Sequence, residues 1–221
     1  MTDSLQATSM AASTEAIILP FRTALDEEMN IVIGTTTGPL EKDQPEGTLG
    51  NFVADAALSI SNAIYQKSYQ KNIDFAFFNN GGLRNPLPQG TITMRNAFEL
   101  MPFENQVVVI TLDGSTTKKV LDFIFKKGGV PVSGLRMTLS DGQHTKTTIQ
   151  GEPFDSTRNY TIITSDYLAN GGDDLHFLAT AANKTYIDLK LRDAIITYFK
   201  QEQALGRPIL SKLDKRIQYG K

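Results

Sequence analysis

Residues 49–70, LGNFVADAALSISNAIYQKSYQ, place apolar side chains at Leu49, Phe52, Val53, Ala56, Ala57, Ile60 and Ile64. Spacings of three and four residues keep those side chains on one stripe of a helix, so the segment predicts a long helix packed against a core. Upstream, residues 38–47 carry Pro39 and Pro45 and read as a loop, and Ile31 to Thr36 reads as a strand. Before that strand, Pro20 suits a first helical turn, and Phe21, Leu25 and Met29 recur at helical spacing, which predicts a short amphipathic helix. Residues 1–15 are rich in Ser, Thr and Ala and are expected to be a flexible lead-in to one domain over residues 16–221.

Downstream of the long helix, Asp74 to Phe78 is a short apolar run ending in Asn79-Asn80-Gly81-Gly82, the pattern of a buried strand that stops in a tight turn. Met94 to Leu100 reads as helix and Val107 to Leu112 as a buried strand. Asp113-Gly114 then opens a second amphipathic helix with Val120, Leu121, Ile124 and Phe125 inward. Past Gly128-Gly129 the period changes to that of strands, at Leu135 to Leu139, Lys146 to Gln150 and Tyr160 to Thr164, with an Asp141-Gly142 hairpin turn between the first two. A last helix carries Leu191, Ile195, Tyr198 and Phe199, and an edge strand is expected near Lys215 to Ile217. Helices and strands alternate without a strict βαβ rhythm, so the expected class is α+β, with mixed β-sheets packed by amphipathic helices.

Composition narrows the functions. The net charge is −2 and the 22 Lys and Arg are scattered, which disfavours a nucleic-acid partner. The absence of Cys excludes disulfides and thiolate metal sites, and no apolar run reaches the roughly 18 residues of a transmembrane segment. The first fifteen residues show no charged start followed by an apolar stretch, so no export signal is visible and localisation is open.

Two loops could carry recognition chemistry. Asn79 to Arg84 can present successive backbone N–H groups and a planar cation to an anion, although turns of this composition are more often structural. Tyr167 to Asp174 joins an aromatic ring, a glycine pair and carboxylates, suited to stacking a base on Tyr167 and holding ribose hydroxyls with Asp173. A solvated acidic turn has the same composition. Phe103, after Pro102, reads by itself as a core plug. His144 is expected to be solvated and His176 partly buried, and neither sits in a metal-ligand pattern or a nucleophilic triad, so no catalytic or metal-binding residue is expected.

Taken in order, Glu46 to Asn51, Asn79 to Pro86, Gly90 to Thr93, Met101 to Phe103, Ser133 to Arg136 and Tyr167 to Asp173 resemble the C-terminal, substrate-binding domain of the 5′-nucleotidase and UDP-sugar hydrolase family. The resemblance runs from about Ile31 to Ile217. It implies that Phe103 and Tyr167 sandwich the base, that Asp173 accepts from the ribose, that Asn79 lies near the base and that Arg84 faces phosphate; Asn170 and Gly172 complete the implied binding loop. It also implies that divalent metal ions belong to a separate metallophosphatase partner chain, and that the protein is periplasmic or exported. Nucleoside or nucleotide ligands follow, in hydrolysis with that partner or in a non-catalytic nucleoside or nucleotide-sugar binding protein. Where the family usually carries arginine before Glu46, this chain has Asp43 and Pro45, with Lys42 nearby. Tyr167 stands where Phe is commoner.

Overall fold

The computed structural model describes residues 18–140 and 142–220. The expected lead-in at residues 1–15 and Asp141 of the expected hairpin turn lie outside them. Helix α1 (residues 18–29) precedes β1 (Val32–Thr36), α2 (Thr48–Tyr69), β2 (Phe75–Phe77), β3 (Gly90–Thr93), α3 (Met94–Leu100) and β4 (Gln106–Leu112). Then come α4 (Gly114–Lys126), β5 (Val132–Ser133), β6 (Leu135–Ser140), β7 (Gln143–Ile149), β8 (Glu152–Pro153) and β9 (Tyr160–Ser165). The chain finishes with α5 (Asp166–Ala169), α6 (His176–Ala179), β10 (Lys184–Lys190), α7 (Leu191–Ala204) and β11 (Ile217–Tyr219).

The central sheet has the order β10-β4-β9-β2-β5, with β9 and β2 parallel and the other neighbours antiparallel. Alternate residues of its strands enter two different cores. Ala76, Phe78, Val107, Val109 and Ile163 pack with α2 and α7, whereas Phe75, Phe77, Val108, Ile110 and Ile162 pack with α4 and the second sheet. A sheet covered on both faces needs apolar residues at every position, which is why these strands read as unbroken apolar runs. The second sheet has the order β11-β6-β7-β8, and β11 is the edge strand expected near the C-terminus, aligned parallel to β6. A two-stranded pair, β1 with β3, completes the α+β architecture.

Local chemistry explains the helix starts. Asp113 caps α4 by accepting from the Thr116 N–H at 2.7 Å, and Thr93 with Asn96 forms a reciprocal cap on α3. Helix α1 forms where expected, but Ile18, Phe21 and Leu25 remain exposed.

The histidines reverse their expected settings. His144 lies between β7 and α4, with Nε2 3.2 Å from an Asp122 oxygen and Nδ1 2.9 Å from the Thr147 hydroxyl. Its side chain is only 11% exposed, because a residue two positions from a hairpin tip still points into the sheet's packed face. His176, at the start of α6, is exposed.

Candidate functional site

Strand register brings three distant loops to one end of the central sheet. β2 runs parallel to β9 with Ala76 beside Ile163, and β4 runs antiparallel to β9 with Val107 opposite Ser165. The segments leaving β2 and β9 and the segment entering β4 therefore emerge together. They are residues 78–84, 165–174 and 101–105.

Between them lies a cavity of about 320 Å³, lined by Asn79, Phe103, Tyr167 and Asp173 of the expected residues. Gly81 and Gly82, of the loop expected to present backbone N–H groups, also line it, as do Asn105 and Ser165, which had no expected role. Phe103 is 43% exposed and Tyr167 49%, so the single-residue expectation that Phe103 plugs the core is corrected. Met101, two residues earlier, fills the core in its place.

Asp173 organises the loop. Its Oδ1 accepts from the Tyr167 hydroxyl at 2.9 Å and its Oδ2 from the Asn79 amide at 3.0 Å. Each carboxylate oxygen keeps a further lone pair, so the group can still accept from a ligand hydroxyl. The carboxylate pushes the Tyr167 phenol above its ordinary range, mainly because the hydroxyl donates to it. Gly171, Asp173 and Asp174 have positive φ values of 98°, 54° and 70°. For the two aspartates that conformation costs about 1 kcal/mol or more apiece, strain concentrated in this loop.

The remaining expected residues divide. Gly172 packs directly behind the Tyr167 ring, where an added Cβ would fall 2.6 Å from Cε1 and Cζ. Arg84 is exposed beside the cavity, with its guanidinium carbon 5.8 Å from the Phe103 ring centroid. Asn170 ends α5 and is exposed, its N–H donating to the Asp166 carbonyl, and it is not among the residues that line the cavity.

Asn105 links the two aromatic loops. Its amide donates at 2.9 Å to Asp166 Oδ1, which also accepts from the Tyr167 N–H at 2.8 Å. Lys42 Nζ donates at 3.0 Å to the Leu83 carbonyl, next to Arg84.

Larger openings exist but are differently built. One of about 590 Å³ lies beside α2 and α7 and reaches Arg216, whose guanidinium is already bonded to Asp55, Asp214 and the Val132 carbonyl. The loop cavity instead offers two half-exposed rings and a carboxylate with spare acceptors.

The segment from Val32 through Thr180 matches the family described as 5′-nucleotidase, C-terminal domain, over residues 32–180. The chain belongs to that family. A cell wall protein of Listeria monocytogenes is 28% identical to the nucleotidase-type domain over 207 residues, covering 85% of this chain and 26% of that protein. A 5′-nucleotidase-related protein of Glossina morsitans morsitans is 28% identical over 227 residues, covering 90% of this chain and 40% of its own. The crystal structure of a 5′-nucleotidase precursor from Thermus thermophilus superposes with a TM-score of 0.76 at 22% identity, over 93% of this chain and 42% of that one. The domain thus spans less than half the length of each of these proteins. Among its described residues, no group of three or more His, Asp or Glu is arranged to hold a metal ion.

Proposed function

We propose that this domain recognises the nucleoside part of a nucleotide, and that a metallophosphatase domain, in the same protein or in a partner, supplies the divalent metal ions and the attacking water. The observation that carries this reading is the cavity in which Phe103 and Tyr167 expose their rings beside Asp173. A flat heterocycle between two rings gains about 0.5–1.5 kcal/mol per stacked pair beyond its buried area. A ribose diol beside the base would meet the spare lone pairs of Asp173, and Asn79, held to that carboxylate, would face the base edge. Arg84, next to the Phe103 ring, supports an anionic group on the ligand.

A second reading is a non-catalytic nucleoside or nucleotide-sugar binding protein. Asp43 and Pro45, in place of the family's usual arginine, favour it, as does the engagement of Lys42 Nζ with the Leu83 carbonyl.

A thermal-stability panel of nucleosides, nucleotides and nucleotide sugars, with and without divalent metal, tests both. Ligand at a hundred times its Kd stabilises a folded protein by about 2.7 kcal/mol, which raises Tm by roughly 5–11 °C in a domain of this size. Nucleosides matching their monophosphates would favour the binding protein. Phosphate release from nucleotides on mixing with a metallophosphatase domain and metal would favour the first reading. No shift with any ligand would end both readings.

A further inference from the structure

Presentation of Phe103 depends on a residue far away in sequence. Arg192, in the first turn of α7, is 5% exposed, and its guanidinium carbon lies 4.1 Å from the Phe98 ring centroid. Its Nη1 donates to the carbonyls of Met101 at 3.1 Å and Phe103 at 3.4 Å, and its Nη2 donates to Glu104. Glu104 also pairs with Lys190 at 2.5 Å, and the Leu191 N–H donates to the Asn105 carbonyl at 2.9 Å. The start of α7 thus grips Met101, Phe103, Glu104 and Asn105, while the Phe103 ring itself stays exposed.

We infer that Arg192 is a positioning residue for Phe103, setting where that ring stands at the edge of the loop cavity. The inference rests on the reading of the cavity as a base-stacking site. A merely stabilising role suits the residue poorly: its Nε is buried without a hydrogen-bond partner, and its carboxylate partner Glu104 is 60% exposed. A buried ionic group of that kind gives little net stability over an apolar side chain of equal volume. Its planar fork, in contrast, holds two carbonyls and a carboxylate in one fixed plane, which a compact ammonium does not do and a thioether, without a donor, cannot.

Separating the two roles takes Arg192→Met in the full chain, with Glu104→Gln as a surface variant in case the first does not fold. Hydrogen exchange should accelerate roughly tenfold or more at the Met101 and Leu191 amides, which donate to the Ala97 and Asn105 carbonyls, in Arg192→Met, with the rest of α7 still protected and Tm within a few degrees of wild type. Titration with adenosine and uridine should show affinity weakened about three- to tenfold, and no further loss when the change is added to Phe103→Ala, because contacts in one chain of action are not additive. Unchanged exchange at Met101 and Leu191, in whichever variant folds, overturns the inference. So does unchanged affinity in a variant whose loop has loosened, or a loss that adds in full to that of Phe103→Ala. If the wild type binds neither nucleoside, the base-stacking reading falls, while the exchange result still decides whether Arg192 holds the loop.

Discussion

Gly172→Ala isolates the packing behind Tyr167. Gly172 does not carry a left-handed φ, so alanine is acceptable to the backbone and any cost is steric. The new Cβ would stand 2.6 Å from Tyr167 Cε1 and Cζ and 2.7 Å from the Tyr167 carbonyl oxygen. The half-exposed ring can swing away, but the carbonyl belongs to α5 and cannot. Overpacking of this kind costs about 1–3 kcal/mol. Displacing the ring also breaks the 2.9 Å bond from its hydroxyl to Asp173, so nucleoside affinity should fall by up to about tenfold, the equivalent of one lost stacking partner. Urea unfolding measures the first effect as a lower midpoint at constant slope, and calorimetric titration with adenosine measures the second. Gly81→Ala is the internal control, since its Cβ would come no nearer than 3.6 Å to Asn79 Nδ2. It should change stability by less than about 0.5 kcal/mol. Wild-type stability and binding in Gly172→Ala would refute the argument that this glycine sets the ring.

Tyr167→Ala should abolish most of any nucleoside-induced Tm shift, and an unchanged shift in the same assay would place the ligand elsewhere. Burial lowers the pKa of His144, against an opposing pull from Asp122. The folded state therefore binds fewer protons there than the unfolded state, so the stability due to this group is full above about pH 6.5 and declines as pH falls through the lower folded value. Urea stabilities between pH 7.5 and 5 should fall less steeply in His144→Asn than in wild type, and parallel curves would count against this. Asp55→Ala removes two bonds, of 2.8 and 3.0 Å, to the buried Arg216 and should cost about 2 kcal/mol by chemical denaturation; a loss under about 0.5 kcal/mol would mean that Asp214 and the Val132 carbonyl together satisfy the guanidinium.

The fold was legible wherever one physical cause dominated. The stripe read as a helix from Leu49 to about Gln70 matched α2 within a residue at each end, and the apolar runs at 74–78, 107–112 and 160–164 gave the three inner strands of the central sheet. Strands β3, β5, β8 and β10 were not expected, and β10 shows a related reason. β10 is a sheet edge with the sequence KTYIDLK, polar on its open side and broken in register between Tyr186 and Lys190, so it lacks the signal of a strand covered on both faces. The setting of His144 depended on whether α4 packs over β7, which the periodicity of either element alone does not state.

Of the site, the ingredients were visible and the distances were not. Phe103 and Tyr167 share a cavity only because β4 lies against β9 with Val107 opposite Ser165, a pairing made across more than fifty intervening residues. What then holds the loops in place is largely polar. Asn79 bonds Asp173, Asp173 bonds the Tyr167 hydroxyl, and Asp166 ties the Tyr167 N–H to Asn105, whose carbonyl reaches the start of α7. Apolar packing would tolerate small shifts of either ring, whereas a hydrogen bond weakens steeply once its geometry is lost. A sequence displays the apolar stripe of a helix directly, but it does not display a chain of bonds whose members come from three loops. The same reasoning explains the hydroxyl on Tyr167: phenylalanine would stack as well, yet it would leave Asp173 without one of its two restraints and the loop's left-handed turns without a tie to the ring they frame.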